Sequence, residues 1–402
     1  MSEPVNYNKT KLACYLGFVT QAITANFVPL LFLTFYRTYD ISYAKLAFIS
    51  FTFFVTQLIV DFLCAKFVDK IGYRKCIVIA EIASGAGLIA LAFVPDLCPD
   101  PYVGILCCVV IYAIGSGLIE VLCSPIMEAC PFENKDRMMS LLHSFYCWGS
   151  VGTILLSTMF FMIFGTDRWR ILICLWAMIP LYNTYNFATC PIRPIVEDGE
   201  GMTIMQLCKT GIFWLFILLM IGAGASEIAM SQWASAFAES SLGVTKTMGD
   251  LLGPCGFAVF MGISRVLYGR FGGKVDLYRF MIVSGILCLF SYLLAAFAAW
   301  PVMGLIGCMT CGFSVGIMWP GSISIASSKL SKGGTALFAF LALAGDLGGA
   351  AGPSLVGSLS QMFGEDLRNG ILGCVCFPIL LVTCTIILKT KKPKEGNMGG
   401  AL

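Results

Sequence analysis

The stretch Lys66-Phe-Val-Asp-Lys-Ile-Gly-Tyr-Arg-Lys75 carries four cations and one anion between two long apolar runs. Gly72 in its middle permits a tight turn, because glycine adopts positive φ angles that other residues avoid. The flanking runs, residues 44–66 and 76–94, are each long enough for a membrane-spanning helix, which needs about 20 apolar residues. The stretch therefore predicts a charged turn at a membrane surface that joins two transmembrane helices.

The composition of the whole chain is typical of a membrane protein. Of its 402 residues, 58% are hydrophobic and 12% are charged, and the mean hydropathy is +0.85. Soluble proteins contain about 25% charged residues. Continuous apolar runs, in place of the short alternating segments of a β-barrel, indicate an all-α membrane protein. Twelve such runs occur, at about residues 12–36, 44–66, 76–94, 102–128, 138–164, 170–190, 211–238, 248–268, 278–299, 302–328, 334–361 and 370–389.

Lysine and arginine are distributed unevenly between the two sides of the predicted membrane. With the N-terminus in the cytoplasm, 20 of the 26 Lys and Arg residues, Arg265 among them, fall in cytoplasmic segments. Positive charge is retained on the cytoplasmic side, and an even number of spans returns the C-terminus there. The first apolar run is too long for a cleaved signal peptide. We expect a multi-pass protein of a plasma membrane, such as a bacterial inner membrane, embedded in the lipid bilayer.

Several chemistries are not supported by the sequence. The net charge of +3 reflects topology, so we expect no nucleic-acid partner. One histidine, and 19 cysteines that lie almost all within apolar runs, do not form the common zinc patterns. The string at residues 268–275 lacks two required positions of a phosphate-binding loop. We therefore expect no metal, no cofactor and no enzymatic activity.

The charged turn occurs twice in the chain. Arg270-Phe-Gly-Gly-Lys274 repeats it about 200 residues later, with Arg270 at the position of Lys70 and Gly272 at that of Gly72. Two further glycine pairs keep nearly the same offset, Gly117 with Gly316 and Gly149 with Gly349. A shared offset over several spans indicates a duplicated chain. The sequence predicts two six-helix pseudo-repeats, residues 1–190 and 211–402, joined by a cytoplasmic linker at 191–210.

The first copy of the turn resembles the signature of the major facilitator superfamily between helices 2 and 3, G-x-x-x-D-[RK]-x-G-x-[RK]-[RK]. Ala65 replaces the first glycine, and the remaining positions fit: Asp69, Lys70, Gly72, Arg74 and Lys75. The second copy departs from the signature, with Gly269 and Arg270 where the Asp-Arg pair is usual. The resemblance implies a secondary transporter whose two six-helix halves rock about a central pathway.

The resemblance also implies a role for the first turn. In the family, the aspartate is thought to hold one conformation by facing the N-terminus of helix 11, here residues 333–335, whose free N–H groups suit a carboxylate. We assign to this conformational gate Asp61, Asp69, Lys70, Gly72, Arg74 and Arg270. The alternative is a solvated turn that its charges keep in the cytoplasm.

Ionisable residues inside a span are costly and mark function by default. Glu120 and His143, in the fourth and fifth runs, lie at similar depths and could face one another. A carboxylate beside an imidazole suits proton exchange, and the alternative is a structural hydrogen bond between the two helices. Glu81 could pair with a cation of the gate. We assign proton coupling to Glu120, His143, Glu227 and Asp346.

Helices 1, 4, 7 and 10 line the cavity in the family, with helices 2, 5, 8 and 11 beside them. Polar and aromatic residues at suitable depths give a predicted substrate-binding set of Gln21, Asn26, Glu120, Glu227, Trp233, Trp319 and Asp346. Polar groups can bind sugar hydroxyls, and an indole can stack on the C–H face of a sugar. The alternative for each tryptophan is ordinary packing against lipid or a helix.

Two short stretches are similar to the fucose permease branch, which contains sugar–proton symporters: residues 141–149 (LLHSFYCWG) and 224–233 (GASEIAMSQW). We therefore predict a monomeric secondary active transporter of a small polar solute, a sugar, coupled to protons by alternating access. A first alternative is proton-coupled efflux of drugs or apolar metabolites, which the abundant Met and Phe would suit. A distant alternative is a receptor or sensor that keeps the fold and does not transport.

Overall fold

The computed structural model describes residues 6–41, 43–193, 201–240, 242–245, 248–249, 251–364 and 366–390. These residues form helices and connecting turns, with no β-strand among them. Twelve of the helical spans are long and apolar enough to cross a membrane. The prediction of an all-α protein with twelve spans is therefore confirmed. Asp250 and the acidic part of the linker, residues 197–200, lie outside the described residues.

We name the spans TM1 to TM12 and call the first six the N-terminal half. TM1 consists of Asn8–Leu30 and a short continuation, Phe32–Tyr39. The others are TM2 Tyr43–Ile71, TM3 Tyr73–Leu97, TM4 Pro101–Glu128, TM5 Lys135–Phe164, and TM6 Trp169–Thr189 after the 3-10 turn Thr166–Arg168.

The last six spans form the C-terminal half, which the short helix Ile204–Lys209 precedes. Three of its spans are interrupted or change helix type. The bounds of all six spans are TM7 Gly211–Ser240, TM8 Leu251–Cys255 (π-helical), Gly256–Phe271 and Gly272–Lys274 (3-10), TM9 Leu277–Ala296, TM10 Pro301–Val315 and Met318–Lys329, TM11 Gly334–Met362, and TM12 Leu367–Gly373 and Cys376–Thr390.

The charged stretch of the first turn is almost entirely helical. TM2 continues to Ile71 and TM3 begins at Tyr73, so Gly72 alone reverses the chain, with φ at 97°. An L-residue rarely adopts this backbone conformation, which explains the glycine. The second copy is built differently, because a 3-10 turn at Gly272–Lys274 leads to Asp276, whose carboxylate caps TM9. We call the membrane face that carries both turns the Gly72 end of the bundle.

The two halves meet most extensively along two interfaces, TM2 with TM11 and TM5 with TM8, and TM4 also contacts TM11. Within the C-terminal half, TM7 and TM11 approach so closely that a side chain at Gly224 or Gly348 would clash with the facing backbone. Small residues commonly permit such contacts between membrane helices. The outer surface is apolar, as the exposed side chains of Phe51, Phe54 and Phe62 on TM2 illustrate. This arrangement leaves polar side chains of the spans facing one another between the halves.

Candidate functional site

Glu120 of TM4 is held by two amides from neighbouring spans. Its Oε2 accepts hydrogen bonds from Gln21 Nε2 of TM1 at 2.8 Å and from Gln57 Nε2 of TM2 at 3.1 Å. Gln21 and Gln57 are buried, whereas Glu120 is partly exposed. The predicted residues Gln21 and Glu120 therefore meet, and Gln57 is a third member that the sequence analysis did not identify. Together the three residues bring a carboxylate and two amides from TM4, TM1 and TM2 to one place inside the N-terminal half.

His143 does not face Glu120, so that predicted pair is wrong. Its Nε2 lies 3.2 Å from the hydroxyl oxygen of Ser124, and its ring packs at a tilt against Phe18, with centroids 4.7 Å apart. Ser124 is one helical turn beyond Glu120 on the same face of TM4. The predicted depth of His143 relative to TM4 was therefore wrong by about one helical turn, and the imidazole lies beside Ser124.

Asn26 connects TM1 to TM5. Its Nδ2 donates to the carbonyl oxygen of Ala22 at 2.8 Å and to Ser150 Oγ at 3.1 Å. The side chain stays partly exposed. Asn26 thus lies on the polar face of TM1, one turn and a half from Gln21.

Among the described residues, the side chain of Arg265 of TM8, which is 2% exposed, makes the most hydrogen bonds to other spans. Its Nη2 lies 3.3 Å from Glu227 Oε2 of TM7 and forms an ion pair. Nε donates to the carbonyl of Gly316 at 2.8 Å, and Nη1 donates to the carbonyl of His143 at 3.0 Å. Gly316 lies at the interruption of TM10, between Val315 and Met318. One guanidinium therefore joins TM7, TM8 and TM10 to TM5 of the opposite half.

The position of Arg265 corrects the count of cytoplasmic cations, in which it was placed outside the membrane. The residue belongs to the helix Gly256–Phe271 and is buried. An arginine inside an apolar run was itself a signal, because such a residue usually pairs with an internal acid. The predicted residue Glu227 is that acid.

Both predicted tryptophans pack against TM11. Trp233 Nε1 donates to the carbonyl of Pro353 at 3.0 Å, so its polar group is already bonded. The six-membered ring of Trp319 lies against Gly345, where no side chain would fit. Both rings remain partly exposed. Their contacts agree with the packing alternative.

Asp61 does not support Asp69, and that expectation is wrong. Asp61 is 0% exposed and lies beside Asp346 of TM11, about 12 Å along TM2 from Asp69. Neither Asp61 Oδ1 nor Oδ2, nor Asp346 Oδ2, has a hydrogen-bond partner within the described part of the chain. Each half of the molecule contributes one of these two carboxyls.

Glu81 pairs with no cation of the gate, contrary to expectation. Thr20 donates to its Oε2 at 3.0 Å and Asn183 donates to its Oε1 at 2.7 Å. These residues belong to TM1, TM3 and TM6, all in the N-terminal half. Glu81 is therefore a satisfied buried acid that links three helices.

Asp69 contacts the first turn of TM11. Its Oδ1 accepts a hydrogen bond of 2.6 Å from the hydroxyl of Thr335, and the hydroxyl of Tyr73 bonds the same threonine oxygen. The predicted partners were backbone N–H groups of residues 333–335, and the contact runs through the side chain of Thr335 instead. It joins the two halves at the Gly72 end.

The other predicted gate residues have different surroundings. Arg74 donates to the carbonyls of Phe187 at 3.0 Å and Ala188 at 2.7 Å, within its own half. These carbonyls end TM6, where a cation is favourable. Lys70 is exposed in the last turn of TM2.

The second turn joins the halves through its backbone. Arg137 of TM5 donates to the carbonyls of Gly269 at 2.8 Å and Arg270 at 2.5 Å. The hydroxyl of Tyr268 donates to Asp136 at 2.8 Å. Arg270 therefore contributes a carbonyl oxygen to the contact between the halves, while its guanidinium lies over Phe271.

The arrangement can bind a polar solute between the halves and respond to protons. Glu120 of TM4 and Asp346 of TM11 are partly exposed, whereas Glu227 of TM7 is buried and paired with Arg265. Among the described residues, no three or more His, Cys, Asp or Glu side chains are grouped so that they could hold a metal ion.

Comparison with known proteins identifies relatives over most of the chain. Residues 13–353 match the Major Facilitator Superfamily. NiaP of Bacillus subtilis, described as a candidate niacin/nicotinamide transporter, is 22% identical over 98% of this chain and 99% of its own. PmrA of Streptococcus pneumoniae, described as a multi-drug resistance efflux pump, is 22% identical over 81% of this chain and 82% of its own.

Solved structures share the fold. FucP in its outward conformation, a member of the same superfamily, superposes with a TM-score of 0.80 at 14% identity, covering 95% of this chain and 99% of its own. The proton:xylose symporter XylE superposes with a TM-score of 0.78 at 14% identity, covering 95% of both chains. A variant of the E. coli fucose:proton symporter FucP reaches a TM-score of 0.78 at 13% identity, covering 95% of this chain and 98% of its own. The chain is therefore a multi-pass membrane transporter that belongs to the Major Facilitator Superfamily.

Proposed function

We propose that this transporter takes up a small hydroxylated solute, a monosaccharide, together with protons. The observation that carries the proposal is Glu120, whose carboxylate is oriented by Gln21 and Gln57 and remains partly exposed between the halves. A carboxylate fixed by amides binds the hydroxyls of a sugar with defined geometry. Trp319, partly exposed on TM10, supplies an apolar surface for the ring of the sugar.

The orientation follows from the distribution of charge, which assigns the Gly72 end to the cytoplasm. At that end Asp69 bonds Thr335 and Arg137 bonds the carbonyls of residues 269 and 270, so the halves are joined there. A solute would then reach Glu120 from the outer side. The likeness to FucP in its outward conformation supports this direction of access.

Transport of a small heteroaromatic compound is a second candidate, supported by the relative described as a niacin/nicotinamide transporter. A pyridine ring could stack on Trp319, and a carboxamide could pair with Gln21 and Glu120. The relative described as a multi-drug efflux pump points to export in place of uptake. These candidates predict different substrates in one assay.

The test is uptake into proteoliposomes of a labelled panel that contains hexoses, deoxyhexoses, pentoses, nicotinate and nicotinamide. We expect one sugar to accumulate when an inward proton gradient is imposed, and only then. Glu120→Gln should abolish this accumulation, because the fixed carboxylate is lost, whereas Glu128→Gln, near the end of the same helix, should preserve it.

Two results would contradict the proposal. Accumulation of nicotinate or nicotinamide, without any sugar, would favour the heteroaromatic substrate. Specific sugar binding without uptake or counterflow, in a protein that is folded and monodisperse, would identify a sensor on the same fold.

A further inference from the structure

Two aspartates from opposite halves meet in the middle of the TM2–TM11 interface. Asp61 lies about 15 Å from the end of TM2, and Asp346 lies about 18 Å from the start of TM11, both counted from the Gly72 end. The carboxyls lie side by side, and Asp61 is fully buried. The pair therefore sits near the centre of the membrane, where opposite halves touch.

This pair differs from every other acid buried in the middle of the spans. Glu81 accepts two hydrogen bonds, Glu120 accepts two, and Glu227 pairs with Arg265. Asp61 Oδ1 and Oδ2 and Asp346 Oδ2 have no hydrogen-bond donor among the described residues. An ionised carboxylate without a donor or a cation is costly to bury. The two aspartates avoid this cost only when they do not both carry a charge.

The groups that face the pair are acids and a thiol. Glu120 of TM4 is near enough to both aspartates for their charges to repel one another. Glu227 of TM7 in turn lies within the electrostatic range of Glu120. On TM2 itself the thiol of Cys64 is the neighbouring titratable group. In the described parts of TM3, TM4, TM7, TM10 and TM12, no cation lies within ion-pairing distance of either aspartate. Basic side chains of the described residues therefore do not neutralise the pair.

A single proton shared by Asp61 and Asp346 would neutralise the pair without any further ligand. Two adjacent carboxyls in a low dielectric cannot both be ionised, and one proton between them removes the repulsion and supplies the missing donor. A metal cation would need several oxygen ligands at once, and no suitable cluster of three side chains exists among the described residues. The geometry therefore favours a proton over a cation such as sodium.

We propose that Asp61 and Asp346 form the proton-binding site of this transporter, separate from the solute site at Glu120. The proposal rests on the proposed function, because it specifies where the coupled proton is held. TM2 and TM11 belong to opposite halves, so movement of the halves at this interface would separate the two carboxyls. Each would then meet water and ionise, and the shared proton would leave on the side that opens.

The experiment compares two transport modes of the full-length protein in proteoliposomes. Proton coupling should be lost in Asp61→Asn and in Asp346→Asn. Asp61→Asn, whose residue lies outside the predicted solute-binding set, should retain solute exchange across the membrane without a gradient. Gradient-driven accumulation should fall to the level seen without a gradient, and solute-induced proton uptake should disappear. Glu81→Gln is the matched control, since it also removes a buried acid and should preserve both modes.

The outcomes separate this inference from the proposed function. If the wild-type protein shows no gradient-driven uptake, the proposed function fails. If the wild type accumulates solute and either aspartate variant still couples it to protons, the inference alone is overturned. Accumulation driven by a sodium gradient, and lost in the same variants, would replace the proton by a cation and would also overturn it.

A second measurement needs no variant. Dicyclohexylcarbodiimide adds to protonated carboxyls in apolar surroundings and leaves an N-acylurea, which peptide mass mapping locates. We expect an adduct on Asp61 or Asp346 at neutral pH that diminishes as the pH is raised. Labelling of Glu120 with neither aspartate labelled, in folded protein, would contradict the shared proton.

Discussion

The two interfaces between the halves occupy equivalent places in the repeat and have opposite chemistry. TM2 and TM11 meet through acids. At the Gly72 end Asp69 accepts a hydrogen bond from Thr335, and deeper in the membrane Asp61 lies beside Asp346. No basic side chain of the described residues takes part in any of these contacts.

TM5 and TM8 meet through arginines. At the Gly72 end Arg137 donates to the carbonyls of residues 269 and 270, and deeper in the membrane Arg265 donates to the carbonyl of His143. Each arginine belongs to one half and each acceptor to the other. The departure of the second turn from the family signature follows from this arrangement, because Gly269 offers a carbonyl and a side chain there would meet Leu141.

The two interfaces differ in how far pH can change their contacts. Guanidinium groups stay charged, and backbone carbonyls do not titrate, so the arginine–carbonyl contacts between TM5 and TM8 persist at every physiological pH. The TM2–TM11 contacts depend on carboxyls, whose charge changes with protonation. We infer that one interface holds the halves together and that the other responds to protons.

The largest expected effect is that of Arg265→Met. The change leaves Glu227 as a buried charge without a partner, which costs about 3–5 kcal/mol, and it removes the donors to TM5 and TM10. We expect a large decrease in the thermal unfolding temperature of the purified protein. Arg168→Met, in the exposed turn before TM6, is the control and should have little effect.

A double variant sharpens this result. Arg265→Met combined with Glu227→Gln removes both charges, so the penalty for an unpaired acid is avoided. We expect it to unfold at a higher temperature than the single Arg265 variant. Equal stability of the two proteins would mean that the hydrogen bonds to His143 and Gly316 matter more than the ion pair.

A smaller effect is expected at the Gly72 end. Arg137→Ala removes two charged hydrogen bonds to backbone carbonyls, partly in contact with water, and should cost about 1–2 kcal/mol. Arg270→Ala keeps its carbonyl and should change stability little. Proteolysis from the cytoplasmic side should be faster in the Arg137 variant, because the halves separate there more often. Similar proteolysis rates for both variants would contradict this prediction, because the Arg137 side chain would then contribute no more to the contact than the Arg270 side chain does.

The fold was predictable from the sequence, and much of the site was not. Apolar runs and the charged turn determine the number of spans, because each depends on composition along the chain. Glu120 and Glu227 were identified because an acid inside a span is costly wherever it points. Depth along a helix was also predictable, to within about one turn.

The partners of these residues depended on the rotation and tilt of each helix and on its exact position along the membrane normal. Composition does not determine these three quantities. His143 was therefore paired with Glu120 in place of Ser124, and Asp61 with Asp69 in place of Asp346. Gln57 was overlooked because an amide in a span costs less than a charge and stands out less. The roles of the acidic and basic interfaces could not be separated before TM5 and TM8 were placed together.

The smallest expected effect tests the acidic interface at its surface. Asp69→Asn keeps an oxygen that can accept the hydrogen bond from Thr335, so only the contribution of the charge is lost, about 0.5–1 kcal/mol. The variant should resist proteolysis from the cytoplasmic side nearly as well as the wild type, and its small defect should vanish at high salt, which screens exposed charges. Thr335→Val removes the donor and should cause a larger defect that salt does not change. If Asp69→Asn instead exceeds Arg137→Ala in its effect, the acidic interface holds the halves together more strongly than the basic one, and the division of roles between the two interfaces is reversed.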